Sequence, residues 1–180
     1  MESLPKMDVE KLVFIDETWT TTNMTRRYGR APRGKRCIAS APHGHWKTLT
    51  FVGALRRRQL TAPMVTDEPM DGEMFLAYVR KFLCPTLQPG DIVILDNLSS
   101  HKVAGVEAAI IATGATVLYL PAYSPDLNPI EKFFSKLKAL LRKAAKRDIN
   151  SLWKEIGKLL DHVSLNECSH FFTSCGYVCT

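Results

Sequence analysis

Three acidic residues, Asp16, Asp96 and Glu131, occur at positions from which their side chains could meet and support chemistry. Asp16 follows the apolar run 11–15, Asp96 follows a second run at 92–95, and Glu131 lies in the first turn of a predicted helix. Carboxylate oxygens are the ligands that Mg²⁺ and Mn²⁺ prefer, and three carboxylates in one cleft repel each other unless a cation compensates them. The pattern predicts a site for two divalent ions, a site type suited to phosphodiester cleavage.

Taken singly, each acid also has an ordinary structural explanation. An Asp at the end of a strand is commonly a turn residue, which applies to Asp16 and Asp96. A Glu in a first helical turn is favoured by the helix dipole, which applies to Glu131. The catalytic interpretation therefore requires a fold that brings the three side chains into one cleft.

The elements around the acids are predicted from apolar runs and amphipathic periodicity. The predicted strands cover residues 11–15, 37–41, 47–55, 59–66, 91–95 and 116–120. The predicted helices cover residues 71–83, about 100–112, 129–146 and 149–163, and the tail after 165 has no clear pattern. This order predicts an α/β fold with an RNase H-like mixed sheet flanked by helices. If strands 11–15 and 91–95 are neighbours, Asp16 and Asp96 stand side by side.

Basic residues are concentrated in three segments of a chain whose formal net charge is +6. Six lie within residues 19–36 without an acid, three form the run 56–58, and seven lie within 132–147. Such clusters suit a polyanionic partner such as nucleic acid, although solvated surface faces explain them equally well.

The sequence has no recognisable signal peptide and no apolar run long enough to span a membrane. We therefore expect no membrane partner and a cytoplasmic location. The five cysteines are expected to be reduced thiols. Cys168, His170, Cys175 and Cys179 lie close together, but no Cys-x-x-Cys spacing occurs, which favours ordinary thiols over a zinc site.

Three strings of residues favour the catalytic interpretation of the acids over the structural one: FIDE at 14–17, ILDNLSSHK at 94–102 and LYLPAYSPDLNPIEK at 118–132. In this order they resemble the catalytic domain of the mariner-like superfamily of DDE transposases, specifically its bacterial insertion-sequence branch. The 34 residues between Asp96 and Glu131 match that branch. The resemblance runs from about residue 12 to residue 177.

This resemblance implies an RNase H-like fold in which Asp16, Asp96 and Glu131 are the catalytic acids and the metal ligands. It implies two Mg²⁺ or Mn²⁺ ions, DNA cleavage at the ends of a mobile element, and attack of the freed 3′-hydroxyl on target DNA. Double-stranded DNA is then the partner, a homodimer on DNA is expected, and the protein would associate with the nucleoid.

Polar and basic residues close to the acids are predicted to contact DNA. Asn97, His101 and Lys102 follow Asp96 closely and could contact phosphate or orient a water molecule, with local capping as an equal alternative. Basic side chains on the helix of Glu131 would follow the phosphate backbone. The predicted DNA contacts are Asn97, His101, Lys102, Lys132, Lys138, Arg142, Arg26 and Arg27.

The expected domain organisation is a single RNase H-like catalytic domain over residues 1–180. Its core covers about 11–147, and 148–180 form a C-terminal helix and tail. About ten residues precede the first predicted strand, so we expect no N-terminal helix-turn-helix domain, and an upstream helix-turn-helix polypeptide would then be a partner. Three alternatives stay open: a catalytically silent DNA-binding remnant of a transposase, another RNase H-like nuclease acting on RNA–DNA hybrids or junctions, and a basic domain that binds a protein.

Overall fold

The structure is a computed structural model that describes residues 7–177, and a five-stranded mixed sheet lies at its centre. The strand bounds are β1 Leu12–Thr21, β2 Thr48–Leu55, β3 Leu60–Thr66, β4 Ile92–Leu95 and β5 Thr116–Tyr119. The strands run in the order β3-β2-β1-β4-β5 across the sheet. Strand β1 pairs antiparallel with β2 and parallel with β4, and β5 continues the parallel half.

Helices cover both faces of this sheet because successive residues of β1 alternate between two apolar cores. The helix bounds are α1 Gly72–Tyr78, α2 Val106–Ile111, α3 Pro129–Ala144, α4 Ile149–Asp161 and α5 Leu165–Ser174. Leu12 and Phe14 pack into a core that includes buried residues of α3, α4 and α5, whereas Val13 and Ile15 pack with residues of α1 and α2.

Three of the predicted elements are absent or divided in the structure. The helix expected over 71–83 is divided into α1 and a π-helical segment, Val79–Leu83. The strand expected at 37–41 is wrong: these residues are exposed, Ile38 to 87%, and they pair with no strand. A short apolar run forms a strand only where a neighbouring strand can satisfy its backbone. The helix expected over about 100–112 is divided into a 3₁₀ turn, Ser99–Lys102, and α2, because Gly105 adopts a left-handed φ of +96° just before α2 begins.

The C-terminal tail forms a helix, α5, that the sequence pattern did not predict. Ser164 and Glu167 form a reciprocal capping box at its start, which satisfies two free backbone N–H groups. Cys168 and Cys175 are buried in the core beside it, and Cys179 lies outside the described residues. In the described part of the chain, none of the helices has the length and apolar character needed to cross a membrane.

A buried ion pair links the end of β2 to the start of β4, and we expect its loss to destabilise the fold. Arg56 Nη2 lies 2.6 Å from Asp91 Oδ2, and the Asp91 side chain is 1% exposed. Burial raises the pKa of Asp91, but Arg56 and the Gln88 N–H outweigh this effect, so the pKa lies below its ordinary value. Asp91→Asn should lower the free energy of unfolding by about 3 kcal/mol at pH 7.

Chemical denaturation at several pH values checks this expectation. The Asp91 contribution should be complete above the ordinary carboxyl pKa and should disappear as the pH falls through the lower folded-state value. The difference between wild type and Asp91→Asn should therefore shrink in acid. Equal unfolding midpoints at pH 7 would show that the ion pair contributes nothing to stability.

Candidate active site

The parallel pair β1–β4 places Asp16 beside Asp96. Ile15 is paired with Leu95 in the register of the two strands, and each of the two acids is the next residue along its chain. β4 ends there, while β1 continues to Thr21 against β2. The neighbouring strands that the sequence analysis required are thus confirmed, and both acids lie at the edge where β4 ends.

Alternation along β1 directs Asp16 toward the face on which Glu131 lies. Asp16 shares this face with Phe14, which packs into the same core as Ile130, Phe133 and Phe134 of α3. Glu131 is in the first turn of α3, which begins at Pro129 after a loop that holds two further prolines. Proline fixes φ, so the loop enters the helix with restricted freedom.

All three acids line one cavity of about 380 Å³. Asn97, Asn128 and the loop 120–125 complete its wall. A second cavity of about 270 Å³ is also lined by Asp16, Asp96 and Glu131, and it adds Glu17, Trp19 and Lys138 to the surroundings. Three acids that are far apart in the sequence therefore share two adjoining openings at the edge of the sheet.

Asp16 is the most buried of these acids, with 6% of its surface exposed. Its Oδ1 accepts a hydrogen bond from the Glu17 N–H at 2.8 Å, and its Oδ2 accepts one from Asn128 Nδ2 at 2.9 Å. Burial, followed by the charges of Glu131, Asp96 and Glu17, raises the pKa of Asp16 to about 8. The ionised form is therefore unfavourable here unless a cation is present.

A divalent cation fits this donor set. Mg²⁺ and Mn²⁺ prefer hard oxygen donors, and the three carboxylates supply them. A bound cation would also offset the repulsion between Asp16 and the neighbouring carboxylates. Between residues 7 and 177 no three acidic, His or Cys side chains are already arranged as a metal-binding group.

His101 lies between two carboxylates and is fully buried. Its Nε2 is 2.9 Å from Glu17 Oε2, and its Nδ1 is 2.5 Å from Asp96 Oδ1, an ion pair without the alignment of a hydrogen bond. Burial lowers the pKa of His101, but Asp96 and Glu17 outweigh it and raise the pKa to about 9. The two carboxylates therefore favour the cationic form of the ring at neutral pH. The centroid of the His101 ring lies 4.2 Å from that of the Phe75 ring.

This position corrects the expectation that His101 contacts DNA, because a ring with no exposed surface cannot reach a phosphate. Glu17, which holds the ring, was not among the predicted site residues. Period-two alternation could have indicated it, since Glu17 follows Ile15 on the face opposite Asp16. The side-chain contact of Asn128 with Asp16 was also missed, because an Asn before Pro129 is typical of a helix cap.

The other predicted DNA-contact residues lie at different distances from the acids. Asn97 is exposed and lines the larger cavity. Lys138 lines the smaller one, where burial lowers the pKa of its ammonium group and Glu131 and Asp16 only partly offset this. Arg142 lies one helical turn further along α3 and is half-buried. These side chains are brought toward the acids by the sheet edge and by α3.

The remaining four predicted contacts line neither of these two cavities. Lys102 is exposed and its Nζ lies 5.4 Å from the centre of the Tyr119 ring. Lys132 is exposed on the first turn of α3. Arg26 and Arg27 are exposed on the segment 22–47, which joins β1 to β2 without a helix or strand.

Solved structures of one transposase have the same fold as this chain. The Mos1 transposase paired-end complex with the left transposon end has a TM-score of 0.74 at 18% identity, covering 94% of this chain and 53% of that chain. The Mos1 mariner paired-end complex with Mn has a TM-score of 0.76 at 18% identity, covering 94% and 54%. The catalytic domain of Mos1 mariner transposase has a TM-score of 0.68 at 17% identity, covering 94% and 79%.

These likenesses confirm the RNase H-like mixed sheet flanked by helices that the element order predicted. The chain spans about half the length of the Mos1 chains in the paired-end complexes. A comparison with curated protein sequences gives no match. The family model of the DDE superfamily endonucleases matches residues 11–152, which is most of the sequence. The chain therefore belongs to the DDE superfamily endonucleases.

Proposed function

We propose that this chain is the catalytic domain of a transposase of the bacterial insertion-sequence branch, which cleaves DNA at element ends and transfers the strand into target DNA. One observation carries the proposal: Asp16, Asp96 and Glu131, from distant parts of the chain, line the same cavity. Membership of the DDE superfamily endonucleases supports the same chemistry. The fold shared with Mos1 transposase complexes supports its use in transposition.

Asp16, Asp96 and Glu131 would hold two Mg²⁺ or Mn²⁺ ions. When bound, these ions supply activation of the attacking oxygen and stabilisation of the departing one. The similar Mos1 paired-end complex with Mn supports this cofactor class. The chain's own part is to fix the carboxylates: the Glu17 N–H and Asn128 hold Asp16, and the Leu98 N–H and His101 hold Asp96.

Double-stranded DNA would enter over the cavities, where Lys138 already faces the acids. Asn97 would contact the strand at the rim, and Lys102, Lys132 and Arg142 would add positive charge along α3 and the 3₁₀ turn before α2. Arg26 and Arg27 would contact DNA from the segment 22–47. The paired ends in the Mos1 complexes support a homodimer on DNA. The protein would then associate with the nucleoid in the cytoplasm. A helix-turn-helix polypeptide that recognises the element ends would be a further partner.

We expect Lys138→Ala to weaken DNA binding about fivefold and to lower the slope of log affinity against log salt by about 1. The loss should be similar for unrelated duplex sequences, because an ammonium group that contacts phosphate reads no base. Fluorescence anisotropy over a series of salt concentrations measures both quantities. Lys154→Ala, on the exposed face of α4, is the matched control. An unchanged salt slope would place Lys138 outside the DNA path.

Two assays test the function. In the first, the wild type should nick supercoiled plasmid in Mg²⁺ and not in EDTA. In the second, it should join the 3′-hydroxyl of a short duplex to plasmid DNA, a reaction that a simple endonuclease does not perform. DNA binding without either activity would favour a catalytically silent remnant. Preferential cleavage of an RNA–DNA hybrid would favour a different RNase H-like nuclease.

A further inference from the structure

Asn128 occupies the N-cap position of α3, yet its side chain does not cap the helix. At such a position an Asn side chain normally accepts a hydrogen bond from a free backbone N–H of the first turn, which stabilises the helix. The caps of α1, α4 and α5 do this, through Asp71, Asp148 and Ser164. The amide of Asn128 is therefore used for a different contact.

That contact is with the most buried acid of the site. Asn128 Nδ2 donates a hydrogen bond to Asp16 Oδ2 at 2.9 Å, across 112 residues of sequence, and Asn128 is only 3% exposed. Its backbone carbonyl accepts the Glu131 N–H at 3.2 Å. A single residue thus hydrogen-bonds to the carboxylate of the first acid and to the backbone of the third, which links the two segments that carry them.

The oxygen atom of the Asn128 amide shows which contact sets the orientation of the side chain. Asn128 Oδ1 is buried and, within the described part of the chain, has no hydrogen-bond partner. An unpaired buried acceptor costs free energy, and the opposite amide orientation would place this oxygen against the Asp16 carboxylate. Donation to Asp16 therefore determines how the side chain lies, and the residue lines the cavity of the three acids.

We propose that Asn128 is a positioning residue that orients the Asp16 carboxylate for binding a divalent ion. The inference rests on the proposed function, since it assigns the ion to the three acids. Groups that hydrogen-bond to metal ligands typically contribute about 10- to 100-fold to metal affinity. The proposal therefore concerns the affinity for the ion in the absence of DNA.

Substitution by Ser separates positioning from helix capping. Ser is as good an N-cap as Asn, but its short hydroxyl side chain cannot span the distance to Asp16 that the amide covers. If Asn128 served only the helix, Asn128→Ser would behave like the wild type. If it orients Asp16, Asn128→Ser and Asn128→Ala should lose affinity for the ion to a similar degree.

Calorimetric titration with Mn²⁺, without DNA, tests the proposal. We expect the Kd for Mn²⁺ to rise about 10- to 100-fold in Asn128→Ser and Asn128→Ala. Asn150→Ser, an exposed Asn in the first turn of α4, should bind as the wild type does. A thermal melt in EDTA checks folding, and the Ser variant alone carries the test if the Ala variant does not fold.

The outcomes distinguish this inference from the function on which it rests. Mn²⁺ affinity of Asn128→Ser equal to that of the wild type would overturn the positioning role and leave the proposed function intact. A wild-type protein that binds no Mn²⁺ would overturn the proposed function itself, and the positioning role with it.

Discussion

Replacing Asp96 by Asn is expected to lower the rate constant for Mg²⁺-dependent DNA cleavage by about 1,000-fold or more. Asn has nearly the same shape as Asp, and its amide oxygen still accepts the Leu98 N–H that now bonds to Asp96 at 3.2 Å. The substitution removes the negative charge that would bind an ion, while the local turn is kept. DNA affinity should fall little, because the basic side chains that contact phosphate are unchanged.

Single-turnover cleavage of a labelled duplex, with anisotropy in parallel, separates chemistry from binding. Asp161→Asn makes the same chemical change at the exposed end of α4 and should leave the rate constant unaltered. A rate constant for Asp96→Asn within about tenfold of the wild type would remove Asp96 from the reaction.

Replacing Asp16 by Asn is expected to stabilise the protein in EDTA, by about 2 kcal/mol at pH 7, while it abolishes cleavage. Asp16 is 6% exposed and adjoins three other carboxylates, which is why its pKa is raised to about 8. Asn imitates the protonated acid and removes both the burial cost and the repulsion. The amide of Asn128 can rotate so that its unpaired oxygen accepts the new N–H group.

The direction of the pH dependence follows from the raised pKa. The unfolded chain releases the Asp16 proton near its ordinary pKa, whereas the folded protein keeps it up to about pH 8. The contribution of Asp16 to the stability of the wild type therefore decreases as the pH rises from 4 to 8. The advantage of Asp16→Asn should be small at pH 4 and should grow toward pH 8.

Melting temperatures in EDTA and in Mg²⁺ measure this effect. A gain of about 2 kcal/mol corresponds to roughly 5 °C for a domain of this size. Mg²⁺ should raise the melting temperature of the wild type and not that of Asp16→Asn, which reverses the order of the two proteins. Asp67→Asn, an exposed acid after β3, is the control. A destabilised Asp16→Asn in EDTA would show that the cluster carries no unfavourable charge.

The pairing of Asp16 with Asp96 could be predicted from sequence because it depends on local signals. Each acid follows a short apolar run, such runs form buried strands, and carboxyl ends of neighbouring parallel strands meet at one edge. The position of Glu131 followed in the same way from Pro129 and the apolar stripe of α3. Periodicity and turn chemistry are properties of short segments, so these elements were predictable.

The contacts of Asn128, Glu17 and His101 could not be predicted in this way. The Glu17–His101 and Asn128–Asp16 contacts link segments that are 84 and 112 residues apart, and each residue type has an ordinary local explanation that the sequence favours. The strand prediction for residues 37–41 was wrong for a related reason, because strand formation depends on a neighbouring strand that the fold supplies. Long-range packing, which local patterns do not encode, decides these cases.

Anomalous X-ray diffraction from crystals of the wild-type protein soaked in Mn²⁺ would locate the proposed metal site directly. The expected result is anomalous density between the carboxylates of Asp16, Asp96 and Glu131, absent from crystals of Asp16→Asn treated in the same way. Wild-type crystals without anomalous density at these three side chains would show that Asp16, Asp96 and Glu131 do not hold the ion.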